Sequence, residues 1–280
     1  MKTRVLILIT LLLCPLGAMS EDCFLCPVMN IAKSIFPNPP TADIRRVVAP
    51  LVTIQTPALA RNPSAEYCVR NESLVDTIVF HHSGGPAGQT VEALNSGHVE
   101  RQSGGNAWLM MGYHYAISAP YPGVRGSGTV SQGRPFNISG AHVGTGIYAN
   151  TSTATANLLR QNANIRCGRR GGRFVTPSDR FNASGQAKGN YTTVGVVLIG
   201  NYSVRTASNP DGYPPGQVRY PSEAAIDTAG RLACELQRRH PRITRITWHS
   251  SYHSTDCPGT VRNRIQEIKN SAARFGCRFN

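Results

Sequence analysis

The sequence predicts an α/β or α+β sheet domain that extends from about residue 70 to residue 280. Two observations carry this prediction. Residues 194–200 (VGVVLIG) form a nearly continuous apolar run, which is typical of a central strand buried on both faces. Residues 222–239 place alanine and leucine at helical spacing behind Ser222, a residue type that caps helix N-termini. Strand patterns alternate with helical patterns over most of this region, which favours helices packed on a sheet.

The other elements of this domain are also indicated by local pattern. Thr90 is a candidate N-cap for a short helix, and a β-branched run ends at the pair His81-His82. In chain order, the sequence predicts strands at 74–80, 113–118, 128–134 and 243–247, and helices at 90–100 and 260–275.

The N-terminus has the pattern of a secretory signal. A basic start is followed by an apolar run from Val5 to Ala18 and by small residues at the exit. The apolar run is too short to span a bilayer, and no later run is long enough. We therefore expect residues 1–20 to be a signal peptide and the mature protein to be secreted, without a transmembrane segment.

Two stretches with a weak pattern define the remaining organisation. Residues 21–70 form a lead-in that contains proline, alanine and three cysteines. Residues 149–189 separate His142 from the central strand, and a loop of this length is usually functional or mobile. We expect an N-terminal extension at 21–70 and one main domain at 71–280 with an insertion at about 149–189.

The cysteines suit an oxidising compartment. Seven cysteines follow the signal segment, so one is left unpaired if the others form disulfides. Cys257 is the natural unpaired residue if it binds a metal; the alternative is that Cys257 is paired and another thiol is free. The Cys23-x-x-Cys26 motif lacks a βαβ context and a second ligand pair, which favours a structural disulfide over redox chemistry or a zinc knuckle.

The surface chemistry is strongly basic. The net charge of +14 implies attraction to polyanions such as nucleic acid, anionic lipid or anionic cell-wall polymers, although a soluble secreted protein can carry this charge without such a partner. Sequons for N-glycosylation are consistent with secretion. They lie at Asn71, Asn137, Asn150, Asn182, Asn190 and Asn201.

Three residues form a candidate metal site. His81 ends the first strand of the domain, and His249 and Cys257 lie eight residues apart after another predicted strand. Imidazole and thiolate are preferred ligands of zinc, and three protein ligands leave a fourth position for water or substrate. A structural zinc site usually has four protein ligands, and a fourth is not apparent in the sequence.

The order of motifs resembles a known family. The chain contains, in order, HHS after a strand, then GYHYAI, GTVSQGR, SGAH, TVGVVLIGNY, a long helix, ITWH and TDCPGT. This arrangement resembles the zinc-dependent N-acetylmuramoyl-L-alanine amidases, which include phage-type amidase lysozymes and peptidoglycan recognition proteins. The resemblance extends over about 200 residues from Asp76. It implies a mixed central β-sheet flanked by helices, a Zn²⁺ cofactor, and hydrolysis of the bond between muramic acid and L-alanine in peptidoglycan.

The resemblance also implies roles for single residues. His81, His249 and Cys257 correspond to the zinc ligands, and Tyr113 and Thr255 correspond to residues beside the metal with a catalytic role. His142 corresponds to a histidine on the substrate groove.

The remaining histidines are open to simpler interpretations. His82 is a second candidate for substrate contact, although strand alternation turns it away from its neighbour and favours packing or hydrogen bonding. His114 and His253 are interpreted as structural histidines. The 149–189 insertion and a longer hairpin at 119–127 depart from the family pattern near the expected groove.

Three functions are compatible with these features. The first is a secreted zinc amidase whose substrate is peptidoglycan. The alternative is a non-catalytic recognition protein that binds peptidoglycan. A third is a cationic protein that binds membranes or nucleic acid through the arginine-rich segment 166–173. The complete ligand set favours the amidase, with anionic wall polymers as possible further partners and no specific nucleic acid.

Overall fold

The structure is a computed structural model, and it describes residues 50–86, 88–100, 108–118, 128–144, 146–161, 165–169, 173–174, 176–204 and 219–280. The predicted signal peptide, the Cys23-x-x-Cys26 motif and the 119–127 hairpin lie outside these residues.

The described residues form a central sheet, two smaller sheets and flanking helices. The six-stranded central sheet has the order β1-β5-β4-β10-β3-β11; β2, β7 and β8 form a second sheet, and β6 pairs with β9. The strands are β1 (Ile54–Gln55), β2 (Glu66–Val69), β3 (Thr77–His82), β4 (Tyr115–Ser118), β5 (Thr129–Gln132), β6 (Tyr148–Ala149), β7 (Arg166–Arg169), β8 (Arg173–Phe174), β9 (Ala187–Lys188), β10 (Thr193–Leu198) and β11 (Arg245–Trp248).

The central sheet is mixed. β10 lies between β4 and β3 and is parallel to both, β11 is parallel to β3, and β4 is antiparallel to β5. All six residues of β10 are buried, as expected for the twice-covered strand predicted at 194–200. Parallel neighbours end at the same edge of a sheet, so the residues that follow β3 and β11 meet there.

Helices cover the sheet. They are α1 (Val91–Val99), α2 (Thr153–Gln161), α3 (Pro177–Arg180), α4 (Gly189–Thr192), α5 (Glu223–Arg239) and α6 (Ile265–Ala273). Thr90 and Ser222 accept hydrogen bonds from the first turns of α1 and α5, so both predicted N-caps are confirmed. The predicted helix at 260–275 is only partly regular, because its first turns (Gly259–Arg264) are 3-10 helix.

Helix α5 packs apolar side chains against the sheet. Leu232 and Leu236 are fully buried in one cluster with Val194 and Val196 of β10. The disulfide between Cys234 and Cys277 ties α5 to the chain that follows α6.

The described residues of the 149–189 segment contain regular secondary structure. They include α2 and several short strands, and Leu159 and Ile165 pack in a small core with Leu74 and Tyr191. β7 pairs with β2, and a disulfide joins Cys68 to Cys167 across that pair. The described residues are therefore more regular than their weak sequence pattern indicates.

Residues 50–70 belong to the same folded unit, which begins at Pro50. β1 pairs with β5 and β2 pairs with β7, so the boundary predicted at residue 70 lies inside this unit. Within the described part of the chain, no helix combines the length and apolar character needed to cross a membrane.

Candidate metal centre

The three predicted ligands converge at the shared edge of β3 and β11. His81 is the penultimate residue of β3, and His249 opens a 3-10 helix directly after β11. Cys257 is unpaired, and its Sγ lies 3.7 Å from Nδ1 of His81. One ligand atom from each of the three residues lies within 4.8 Å of the other two. The structure thus brings together the residues proposed as ligands from the sequence.

The donor set fits a zinc ion. Ligand atoms in a tetrahedral zinc site are separated by about 3.3–3.6 Å, which is close to the Sγ–Nδ1 distance. Nδ1 of His249 is buried and has no hydrogen-bond partner among the described residues. A buried nitrogen without a partner is costly unless it binds something else, and a metal ion would satisfy it. Two imidazoles and one thiolate are soft enough to favour zinc over magnesium or calcium.

Burial controls the protonation of this cluster. Desolvation, with smaller contributions from His142 and His249, holds the pKa of His81 well below its usual range. Desolvation also lowers the pKa of His249 to about 4 and raises the pKa of the Cys257 thiol to about 12. At neutral pH both imidazoles are therefore uncharged, with one lone pair each, and metal binding must release the thiol proton.

Each ligand histidine contacts a second histidine. Nε2 of His81 lies 3.0 Å from Nδ1 of His142, and Nε2 of His249 lies 2.8 Å from Nε2 of His253. The ring of His142 packs against Gly195 of β10, where an added Cβ would lie 2.6 Å from the imidazole. Glycine at this position therefore makes room for the His81–His142 contact.

The two residues predicted to contact substrate are buried. His142 is 4% exposed and lies behind His81, and His82 is 9% exposed. Nδ1 of His82 accepts a hydrogen bond from the Tyr202 amide, because alternation along β3 turns His82 away from the ligand cluster. These positions differ from the expected placement on an open groove. They agree with the simpler interpretation of His82 as a hydrogen-bonded, packed residue.

Tyr113 and Thr255 lie beside the ligands. The ring centroid of Tyr113 is 5.0 Å from that of His81. The Thr255 hydroxyl oxygen accepts a hydrogen bond from the Cys257 amide. Both residues are partly exposed.

Asn190 was not predicted as a site residue, although its side chain forms hydrogen bonds with the backbone at His142. Its Oδ1 accepts hydrogen bonds from the amides of His142 and Val143, and its Nδ2 donates to the Gly144 carbonyl. The sequon at this position concealed the role, because the pattern favours an exposed glycosylated asparagine. In the structure the residue is 4% exposed, and both its side-chain oxygen and its side-chain nitrogen form hydrogen bonds.

We expect no glycan at Asn190 in folded, secreted protein from a eukaryotic host. A glycan would replace one of the two Nδ2 protons, beside the bond to Gly144, and would need space that the buried site lacks. Peptide mapping by mass spectrometry checks this expectation, with the exposed sequon at Asn150 as the comparison position. Occupancy of Asn190 in a soluble, monodisperse protein would contradict it.

A buried arginine forms hydrogen bonds with the backbone next to His142. Arg70 is 2% exposed, and its guanidinium donates to the carbonyls of Asn190, Thr193 and Phe136. Burial lowers its pKa to about 9, which leaves it charged at neutral pH. His114, predicted to be structural, is buried against this guanidinium, and its Nδ1 accepts from the Gly195 amide.

The chain is similar to known proteins in the region that carries this cluster. Residues 70–260 match the family model for N-acetylmuramoyl-L-alanine amidase. Similar solved structures include the amidase endolysin LysCS of Clostridium intestinale URNW, with 18% identity, coverage of 81% of this chain and 97% of that chain, and a TM-score of 0.45. Bumblebee PGRP-SA has 16% identity, coverage of 76% and 95%, and a TM-score of 0.44.

A comparison with curated proteins gives no match. The family model covers more than half of the chain and contains the residues of the cluster: His81, Tyr113, His142, His249, Thr255 and Cys257. The chain therefore belongs to the N-acetylmuramoyl-L-alanine amidase family.

Proposed function

We propose that the protein is a secreted zinc amidase that hydrolyses the amide bond between muramic acid and L-alanine in peptidoglycan. The observation that carries the proposal is the convergence of His81, His249 and Cys257 around a buried, unpartnered Nδ1. Membership of the amidase family supplies the substrate class. A bound zinc ion would polarise the scissile carbonyl and lower the pKa of a water molecule.

The chain's own residues would hold the ion and steer the substrate. His81, His249 and Cys257 would supply three ligands, leaving one position open. The Thr255 oxygen already accepts from the Cys257 amide, so the hydroxyl proton can rotate toward a substrate oxygen. Tyr113, whose ring contacts His81, is the second candidate donor for negative charge that develops on that oxygen.

Secretion and attraction to the cell wall are parts of the same proposal. The N-terminal pattern of residues 1–20 supports export, and the two disulfides among the described residues suit an oxidising compartment. The net charge of +14 favours approach to a wall that carries anionic polymers.

Purified peptidoglycan provides the direct test. We expect release of stem peptides with new N-terminal alanine and no new reducing sugar ends. A zinc chelator should lower the rate by at least about tenfold, because the zinc ion is the proposed electrophile. Zinc added back should restore the rate. A non-chelating isomer of the chelator serves as the matched control, and reducing sugar ends or chelator-resistant release would contradict the proposal.

Binding without cleavage is the outcome predicted by the alternative, a peptidoglycan recognition protein. In that case the protein would cosediment with peptidoglycan and bind zinc, yet release no stem peptide. Steep loss of wall binding with added salt, unaffected by chelation, would instead indicate a purely electrostatic interaction.

A further inference from the structure

The tautomers of the two ligand histidines follow from the hydrogen-bond network behind them. A neutral imidazole carries one proton, on Nδ1 or on Nε2, and only the unprotonated nitrogen can bind a metal. The proton must be on Nε2 of both His81 and His249 if their Nδ1 atoms are the ligands. Two separate chains of hydrogen bonds lead to this arrangement.

The first chain begins at a backbone carbonyl. The Thr193 hydroxyl donates to the Gly189 carbonyl over 2.8 Å, so its only proton is committed and its oxygen is left to accept. Nε2 of His142 lies 3.2 Å from that oxygen and therefore carries the proton of its ring. Nδ1 of His142 is then an acceptor.

The same chain continues to the metal site. Because Nδ1 of His142 accepts, Nε2 of His81 donates to it over 3.0 Å. Nδ1 of His81 is thereby left unprotonated, and it faces the Cys257 sulfur. Thr193 is 1% exposed and His142 is 4% exposed, so little water is available to compete for these hydrogen bonds.

The second chain reaches the same result from another part of the fold. Nδ1 of His253 lies 3.4 Å from the Ser254 carbonyl in an exposed contact, and because a carbonyl can only accept, this contact favours the proton on Nδ1. Nε2 of His253 then accepts from Nε2 of His249 over 2.8 Å. This leaves Nδ1 of His249 unprotonated, and it is the buried nitrogen that has no hydrogen-bond partner among the described residues.

We propose that His142 and His253 are positioning residues, each of which fixes the tautomer and ring orientation of one zinc ligand before the ion binds. Thr193 acts on His81 through His142: its hydroxyl oxygen determines which nitrogen of His142 carries the proton, and His142 in turn determines this for His81. The inference rests on the proposed zinc site, but it concerns the metal-free protein, so it can be measured without turnover. Mutation of a residue that hydrogen bonds to a metal ligand typically weakens metal binding 10- to 100-fold.

Thr193→Val and Thr193→Ser form a matched pair for the first chain. Valine keeps the β-branched shape in β10 but removes the hydroxyl, whereas serine keeps the hydroxyl. In the metal-free, full-length protein with ¹⁵N-labelled histidine, two-bond ¹H–¹⁵N correlations should show the Nε2–H tautomer of His81 in wild type and Thr193→Ser. In Thr193→Val we expect loss of that signature at His81 and about 10-fold weaker zinc binding in competition with a chromogenic chelator.

His253→Leu and His253→Gln test the second chain. Glutamine keeps an acceptor near His249 and leucine does not, so only His253→Leu should lose the Nε2–H tautomer of His249 and weaken zinc binding. Each valine or leucine variant should leave the other ligand histidine unchanged. A purely structural defect would disturb both ligands together.

Three results would overturn the inference: an Nδ1–H tautomer at His81 or His249 in the wild type, or wild-type tautomers and zinc affinity in folded Thr193→Val or in His253→Leu. If Thr193→Val does not fold, His253→Leu decides, because His253 is partly exposed in a loop. Failure of the proposed function has a different signature: the tautomers and zinc affinities follow expectation, but peptidoglycan is not cleaved.

Discussion

Cys257→Ser is expected to lower amide hydrolysis by about a thousandfold, because several kcal/mol of transition-state stabilisation depend on the bound ion. A thiolate gives zinc a soft, negatively charged donor, whereas a serine hydroxyl stays neutral at neutral pH and binds zinc weakly. The fold should be retained. The Sγ atom forms no disulfide, and its contacts with His81 and the His82 carbonyl are long, at 3.7 and 3.8 Å.

The variant is assessed by zinc content, thermal unfolding and peptidoglycan cleavage. Without metal, the midpoint of unfolding should match that of the wild type. Added zinc should raise the midpoint of the wild type only, because a ligand stabilises the state that binds it. Cys257→Asp is the matched control, since a carboxylate is also a zinc ligand and should restore part of the affinity and activity. Wild-type turnover by Cys257→Ser would exclude Cys257 from the site.

The fold could be predicted where burial alone sets the pattern. The apolar run at 194–200 and the capped helix that begins after Ser222 were both found, because a short continuous apolar run and apolar residues at helical spacing are each visible in the sequence. The 149–189 segment could not be predicted in this way. Its strands are two to four residues long, and its attachment depends on a disulfide between residues 99 apart in sequence.

In the candidate site, the metal ligands were predictable from the sequence but their hydrogen-bond partners were not. His81 and His249 each follow the apolar pattern of a strand, and His249 and Cys257 lie close together in sequence, so their residue types and spacing indicated a metal. The partners behind them gave no local signal. Thr193 lies in a strand where threonine is an ordinary residue, and only tertiary packing brings it against His142.

Arg70→Met is expected to reduce the free energy of unfolding by about 3–5 kcal/mol, because more than one buried carbonyl would be left without its donor. Methionine retains an apolar stem of similar reach but none of the guanidinium donors. The carbonyls of Thr193 and Phe136 would each lose the guanidinium donor, and a buried acceptor left unsatisfied costs about 1–3 kcal/mol. The Asn190 carbonyl would also lose this donor but would keep its hydrogen bond from the Ser139 hydroxyl. Relief of the buried charge, whose pKa is lowered to about 9, offsets part of this loss.

Denaturant unfolding of the metal-free protein measures the effect. Arg262→Met is the matched control, because that arginine is exposed and the same substitution should change stability by less than about 0.5 kcal/mol. A loss for Arg70→Met no larger than that of the control would contradict the stabilising role of Arg70. Zinc affinity should fall together with stability. Arg70 donates hydrogen bonds to the carbonyls of Asn190 and Thr193, and the side chains of these two residues form hydrogen bonds with His142.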